Sequence, residues 1–200
     1  MRSFLSVAAI GAAILTATSA PAFAEPVAYT FDKTHTSITA SWSHLGYSTQ
    51  TIQFTDYDGT LLLDLEDPSA STVEVEFSLD NGFWVGPGQD QFVAHLSSAE
   101  IFNIEAFPTA TFVATGFETE DGTTGTMTGD LTLLDKTVPV TLDVTLNQAA
   151  PNPMSGTPTA GFTATGTITR SDFGLGYAAP YVSDDVAVVI NTELQQVAAE

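Results

Sequence analysis

The chain of 200 residues carries 24 acidic and only four basic side chains, which gives a formal net charge of −20 at pH 7. Nucleic acid and anionic lipid surfaces are polyanions, so this charge argues against binding to either of them. The sequence contains no cysteine, which excludes disulfides and cysteine-ligated zinc. The length suits one domain with a sizeable core, stabilised by packing and hydrogen bonds alone.

The N-terminus has the organisation of a secretory signal peptide. Arg2 precedes a long apolar run that ends in the small-residue triplet AFA. This order of features predicts a signal peptide over residues 1–24, cleaved after Ala24, and one mature domain over residues 25–200. No later stretch is apolar enough to span a bilayer, so the mature protein is not expected to cross a membrane.

Most of the mature sequence alternates apolar and polar residues, the pattern of strands that bury one face. In TVEVEFSL, for example, Val73, Val75 and Phe77 alternate with Glu74 and Glu76. Nine segments fit this pattern, in chain order: SITASWSH, TIQFTDY, TLLLDLE, TVEVEFSL, TATFVATGFET, TGTMTGDLTLL, residues 138–146, GFTATGTITR and DVAVVINTEL. The first belongs to FDKTHTSITASWSHLG, which is predicted to form one continuous strand.

The connections between these strands carry their own signals. Asp-Gly and Asn-Gly pairs favour tight hairpin turns. The predicted turns are Asp58-Gly59, Asn81-Gly82 and Asp121-Gly122. Residues 147–161, rich in Pro, Gly and Ala, are predicted to form a long loop. Residues 97–108 are predicted to form a short helix, because Ser97 stands three residues before Glu100 in the spacing of a capping box.

Many antiparallel strands with one buried face require either two packed sheets or closure into a barrel. Periodicity does not choose between these two architectures. In both of them the apolar faces turn inward, and a barrel of about eight strands can hold one small ligand in its interior.

Two of the three histidines stand in the first predicted strand, close to an aspartate. His35 and His44 are nine positions apart, so a regular strand would place them roughly 30 Å apart on opposite faces. Asp32 and His35 would also point to opposite faces, which makes them a poor catalytic pair. No metal site and no catalytic residue are therefore predicted. His35 is expected to tie down the start of the strand, and His44 to face inward near a pore end.

Arg170 shares its parity along the strand with Phe162, Ala164 and Ile168, so it is expected to face inward. In a chain with so few cations, an inward arginine needs a carboxylate or carbonyl partner. A buried ion pair that closes one end of the barrel is the main expectation. Contact with the headgroup of a ligand is the alternative.

Five blocks in a fixed order resemble the YceI-like polyisoprenoid-binding family of bacterial periplasmic proteins. They are YTFDKTHTSITASWSHLG, AHLSSAEIFNIEAFPTATF, GDLTLLDKTVPVTLDV, TRSDFGLG and VSDDVAVVINTEL. Together they extend over about residues 29–194. Asp32 and His35 fit the D-x-x-H strand start of the family, and Arg170 begins its RSDFG block.

The resemblance implies an all-β fold, an antiparallel, extended lipocalin-like β-barrel of about eight strands with a short helical insertion. It also implies an apolar pore that holds an isoprenoid-type lipid, such as ubiquinone or a polyprenyl chain. No catalytic step and no cofactor are expected. The protein would then be a periplasmic carrier, and the sequence leaves open whether it forms a homodimer.

The residues expected to bind the lipid are those that parity turns inward, together with His44 and Arg170. They are Ile38, Trp42, His44, Ile52, Phe54, Leu61, Leu63, Val75, Phe77, Phe112, Leu131, Leu133, Leu142, Val144, Phe162, Ile168 and Arg170. An ordinary packed core would show the same pattern, and only the resemblance favours a pore. Two alternatives stay open: an enzyme that acts on a hydrophobic substrate in the same pore, and an outer-membrane barrel with its apolar residues facing outward.

Overall fold

The computed structural model describes residues 25–80, 83–84, 86 and 90–198. The predicted signal peptide and the predicted turn at Asn81-Gly82 lie outside the described residues. The strands are β1 (Val27–Phe31), β2 (Ser37–His44), β3 (Ser48–Phe54), β4 (Tyr57–Leu63), β5 (Thr72–Ser78), β6 (Phe83–Trp84), β7 (Thr109–Thr119), β8 (Thr124–Leu133), β9 (Lys136–Pro151), β10 (Pro158–Thr169) and β11 (Asp185–Gln196). The α-helix is α1 (Asp90–Ser97), and short 3-10 turns occur at Pro68–Ala70 and Arg170–Phe173.

Eight of these strands form a closed antiparallel barrel. Hydrogen-bonded neighbours follow the order β1-β4-β5-β7-β8-β9-β10-β11, and β11 pairs with β1 to close the ring. β2, β3 and β6 extend the sheet from β11. The predicted fold class, an all-β barrel of about eight strands with a short helical insertion, is confirmed.

Two separate strands near the N-terminus, β1 and β2, pair with the same edge of β11. β1 pairs with residues 194–196 of β11, and β2 pairs with residues 187–191. On their other sides β1 pairs with β4 and β2 with β3. The prediction of one continuous strand over FDKTHTSITASWSHLG is therefore wrong, because residues 32–36 turn between β1 and β2. The side chain of Asp32 accepts a hydrogen bond from the backbone N–H of Thr34, the geometry of an Asx turn.

Period-two patterning places the apolar side chains inside the barrel, as predicted. In β2, Ile38 and Ala40 are buried while their neighbours along the strand are less so. In β4, Leu61 and Leu63 are buried on either side of the exposed Leu62. This orientation is the reverse of the one that the outer-membrane alternative requires.

The helix packs against the interior of the barrel. The rings of Phe92 and Trp42 are 6.3 Å apart between centroids, and Leu96 is buried in the same apolar cluster. Phe92 and Leu96 are four residues apart, so both side chains lie on one face of the helix. The helix therefore contributes to the barrel interior.

The prediction of a helix over residues 97–108 is wrong, because α1 ends where that helix was expected to begin. After Ser97 the chain turns back: the N–H of Phe102 donates to the carbonyl of Leu96, and Asn103 has a positive φ of 46°. The hydroxyl that accepts the N–H of Glu100 belongs to Ser98. The spacing of a capping box thus occurs at the end of a helix rather than at its start.

Two of the predicted connections are wrong and one is confirmed. Residues 147–161 are mostly strand, since β9 and β10 stay paired as far as Pro151 and Pro158. The pair Asp58-Gly59 lies within β4, paired with β5. The Asp121-Gly122 turn joins β7 to β8 and is held by the Asp121 side chain, which accepts the N–H groups of two following threonines.

Gly59 is expected to be intolerant of any side chain. A Cβ at this position would lie 2.1 Å from the backbone carbonyl oxygen of Glu74 on the paired strand, which cannot move without breaking the ladder. We expect Gly59→Ala to lower the free energy of unfolding by about 3 kcal/mol, measured by urea denaturation.

Gly161→Ala is the matched control, because the nearest atom to its added Cβ is 3.9 Å away. It should change the stability by less than about 1 kcal/mol. Equal stability of the two variants would contradict the packing described for β4 and β5.

Candidate functional site

The barrel encloses a continuous apolar cavity. Its volume is about 670 Å³, within the range of pockets that hold small ligands. Side chains from β2, β4, β7, β9 and β11 contribute to the wall, together with residues of α1 and the segment that follows it. The wall is formed by the inward faces of the alternating strands, so the cavity is a direct result of the period-two pattern.

All seventeen residues expected to bind a lipid line this cavity. They are Ile38, Trp42, His44, Ile52, Phe54, Leu61, Leu63, Val75, Phe77, Phe112, Leu131, Leu133, Leu142, Val144, Phe162, Ile168 and Arg170. Their contact with a lipid stays a prediction. The structure brings them around one space, although they come from most of the length of the mature chain.

Further lining residues were not among those expected. Val186, Val188 and Ile190 of β11 line the cavity, and their alternation in the sequence was a usable signal. Phe92 and Phe102 also line it, from α1 and the turn after it. The sequence pattern did not predict that these two side chains face the cavity, because the position of the helix was itself wrongly predicted.

The two ends of the cavity differ in chemistry. At one end, where β2 finishes and β11 begins, the lining includes His44, His95 and Tyr177, with the rings of His95 and Tyr177 6.0 Å apart. We call this the His44 end. At the other end, where β4 finishes, the lining includes Asp64 and Glu118. We call this the Asp64 end.

Asp64 is buried, and its carboxylate is already engaged. One oxygen accepts the backbone N–H groups of Glu66 and Asp67, each at 2.9 Å. These two bonds shape the turn after β4 and offset part of the cost of burying the carboxylate. Asp64 therefore stabilises the turn that follows β4.

Arg170 lies at the His44 end and faces the cavity, as expected, but its partners are not carboxylates. Its guanidinium donates hydrogen bonds to the carbonyl oxygens of Ser183 and Val182, each at 2.8 Å, and to that of Leu175. The expected buried ion pair is therefore wrong, and the carbonyl partner is the one that forms. A planar guanidinium can satisfy several diverging carbonyls at once, which explains why arginine stands here.

The turn between β1 and β2 contains a hydrogen-bonded Asp-His pair. The Nδ1 atom of His35 donates to an oxygen of Asp32 at 2.9 Å, because a carboxylate can only accept. Gln195 of β11 donates to the same oxygen at 2.9 Å. The sequence expectation that Asp32 and His35 diverge is wrong, because it assumed a regular strand. The expectation that His35 ties down the start of the strand fits this geometry.

Asp32, His35 and Glu193 bring three potential metal-ligand atoms within 4.8 Å of one another. Both oxygens of Asp32 are already occupied, however, one by Thr34 and the other by His35 and Gln195. These donors account for the arrangement without an ion. We call this group the Asp32 clasp, because it joins the β1–β2 turn to β11.

The hydrogen bonds of the clasp shift two pKa values in opposite directions. The hydroxyl of Thr34, and next the imidazole of His35, hold the pKa of Asp32 well below its usual range. The hydrogen bond to Asp32, followed by the charges of Asp32 and Glu193, raises the pKa of His35 above its ordinary value. The clasp is therefore strongest when Asp32 is ionised and His35 is protonated.

Among the described residues, none of the helices has the length and apolarity needed to cross a membrane. The polar groups at the cavity ends whose contacts are given above, Asp64 and Arg170, are bonded to the backbone. The wall between them is apolar. Such an arrangement can hold an apolar molecule by burial, with little directional bonding.

These features define a class of protein: a closed antiparallel β-barrel around an apolar ligand-sized cavity. The sequence matches the YceI-like domain over residues 29–194, so the chain belongs to the YceI-like family. The resemblance seen in the sequence is confirmed. A UPF0312 protein of Pseudomonas savastanoi pv. phaseolicola is 34% identical over 177 residues, 88% of this chain and 88% of the relative.

Solved structures share the fold. BcnA of Burkholderia cenocepacia superposes with a TM-score of 0.71 at 20% identity, covering 82% of this chain and 98% of that one. A polyisoprenoid binding domain from Saccharophagus degradans, described as implicated in plant cell wall breakdown, has a TM-score of 0.57 at 14% identity. It covers 86% of this chain and 99% of its own. At these identities the likeness shows the architecture alone.

The Asp32 clasp predicts a pH-dependent stability. The raised pKa of His35 contributes stability that is fully present below about pH 6.5 and is lost as the pH rises through the folded value. The lowered pKa of Asp32 contributes stability that is present above about pH 4 and is lost on acidification. We expect His35→Gln to destabilise the protein most between about pH 4.5 and 6, and less at pH 9, in urea titrations.

The control is the same substitution in an Asp32→Asn background. There the loss should vary far less with pH, because the partner carboxylate is gone. An equal loss at pH 5 and pH 9 in the Asp32 background would contradict the proposed coupling.

Proposed function

We propose that this protein is a periplasmic carrier that binds one isoprenoid-type lipid, such as ubiquinone or a polyprenyl chain, and performs no catalytic step. The observation that carries the proposal is the continuous apolar cavity inside a closed barrel. The fold shared with a polyisoprenoid binding domain supports it. The predicted signal peptide supports the periplasmic location.

Burial alone can supply the affinity. An isoprene unit has five carbons, and at roughly 0.8 kcal/mol for each buried methylene-sized group it contributes about 3 to 4 kcal/mol. Association costs an estimated 4 to 15 kcal/mol, so a few units are enough for useful binding. This arithmetic favours a long, branched chain over a short one and requires no dedicated polar contact.

The polar groups at the His44 end favour a neutral headgroup. Three of the five N–H donors of Arg170 are bonded to backbone carbonyls, so only two remain for an anion. The chain has only four basic residues in total. A quinone ring, which needs neutral donors at most, fits this end better than a phosphate does.

Purified protein should carry a long-chain isoprenoid, recovered by extraction with organic solvent and identified by mass spectrometry. Lipid-free protein should take up an added quinone, detected by quenching of the fluorescence of Trp42, which lines the cavity. An empty extract together with no uptake would overturn the proposal.

The cavity can be narrowed without changing the outer surface. Ala164 lines it and is buried, whereas Thr165, the next residue of β10, is exposed and does not line it. We expect Ala164→Phe to weaken quinone binding at least about tenfold, a change of 1.4 kcal/mol, because the ring occupies ligand space. Thr165→Phe should bind like the wild type. Equal affinities of the two variants, with both folded by circular dichroism, would place the ligand outside the cavity.

The location has its own test. When the full chain is expressed in a Gram-negative host, we expect it in the periplasmic fraction with an N-terminus that begins at Glu25. A cytoplasmic protein that retains Arg2 would contradict the periplasmic role while leaving lipid binding untouched.

A further inference from the structure

Two loops form one rim of the cavity at the His44 end. The first is the β2–β3 turn, residues 45–47, and the second is residues 174–183. The backbone N–H of Leu45 donates to the carbonyl of Tyr181 at 2.9 Å, and His44 forms a bridge with Val182. The two segments, which we call the mouth loops, are thus held side by side.

The mouth loops expose large side chains that have apolar bodies. Tyr47 is 90% exposed and Tyr181 is 74% exposed, and Leu45 and Tyr177 are each about half exposed. Three of the five tyrosines of the chain belong to these loops. Tyrosine is enriched where membrane meets water, because its ring is apolar and its hydroxyl is polar.

The mouth loops also lack charge in a chain that is strongly acidic. Residues 43–51 and 174–183 contain no Asp, Glu, Lys or Arg, whereas the chain has 24 acidic residues. Other segments at this end do carry carboxylates, among them Asp135 in the β8–β9 turn and Glu100 after α1. Asp172 and Asp184 flank the second loop in the sequence, so the uncharged patch is confined to the two loops themselves. Within that patch no carboxylate opposes contact with a bilayer.

The backbone of the first mouth loop places a partly exposed leucine at a position where the turn geometry favours other residues. Leu45 and Gly46 both have positive φ, 56° and 74°, and the N–H of Tyr47 bonds to the carbonyl of His44, as in a type I′ turn. Asn or Asp is the favoured residue where Leu45 stands. Leu134 also has a positive φ, but it packs against the core, which gives it a structural reason. Leu45 lines the cavity with part of its side chain and leaves 48% of its surface exposed at the rim.

We propose that the mouth loops dock reversibly on the surface of a lipid bilayer, so that the His44 end of the cavity opens toward the membrane. This inference rests on the proposed function, since it supplies the route by which an apolar ligand enters and leaves. A few tyrosines and one leucine give weak binding to the membrane interface, which suits a carrier that must also dissociate from the membrane. The acidic remainder of the surface keeps the rest of the protein in water.

The test is flotation of lipid-free protein with phosphatidylcholine vesicles. Tyr47→Ser with Tyr181→Ser is the test variant, because neither side chain lines the cavity. Met154→Ser is the matched control, a 95% exposed residue in the β9–β10 loop at the Asp64 end. We expect the double variant to lower vesicle partitioning roughly tenfold and the control to leave it unchanged. Vesicles that contain phosphatidylglycerol should bind wild type less well, and added salt should restore part of that binding.

Quinone uptake from dilute detergent is measured in parallel, and both variants should retain it. Because flotation needs no cavity ligand and uptake needs no vesicle, failure of docking and failure of the proposed function are separate results. No flotation of wild type, or equal flotation of the wild type and the double variant, would overturn the docking proposal. A dimer in wild type that the double variant abolishes, without flotation, would assign the loops to a second copy of the chain and overturn it also.

Discussion

Closure of the sheet around an interior that its own side chains do not fill is the constraint on which the structure depends. The ring closes because β1 pairs with β4 on one side and with β11 on the other. A ring of eight hydrogen-bonded strands fixes the diameter of the barrel, and the inward side chains of this chain leave a cavity of about 670 Å³ between the walls. The apolar wall then faces a cavity, and the proposed ligand would stabilise the barrel by covering that apolar surface.

The turn between β1 and β2 allows β1 to close the ring of eight strands while β2 continues the sheet into β3 and β6. β1 and β2 both follow β11, but they need different partners on their other sides. The turn at residues 32–36 separates the two pairings, and the Asp32 clasp holds that turn against β11 through Gln195. Asp32 and His35, which a regular strand would have pointed to opposite faces, are hydrogen-bonded to each other in this turn and connect it to β11 through Gln195.

The alternation of the strands could be predicted from the sequence, and so could the inward set of side chains. A residue such as Leu142 is inward by parity alone, and every residue chosen in this way lines the cavity. The pattern could not distinguish a packed core from a cavity, because both require the same apolar face. That distinction depends on ring closure, a property of long-range pairing that only the resemblance could suggest.

Two of the wrong predictions share a physical origin. The strand position of Gly59 and the pairing out to Pro151 are set by partner strands far away in sequence, which overrode the local turn signals. The break at residues 32–36 is the opposite case, because there a local Asx turn interrupts a segment whose pattern predicted a strand. Helix α1 lacks a strong start signal and is only eight residues long. Its place is set by the packing of Leu96 in the core. The carbonyl partners of Arg170 come from residues 175–183, whose path no periodicity describes.

The central claim is that an isoprenoid chain lies along the barrel axis, in contact with the wall from one end to the other. Nuclear Overhauser effects between the methyl groups of a bound polyprenyl quinone and labelled leucine methyl groups test it most directly. Leu133 lies toward the His44 end and Leu63 toward the Asp64 end. Contacts from one bound lipid to both leucines are predicted. Contacts confined to residues of the outer surface, such as Leu62, would contradict the account.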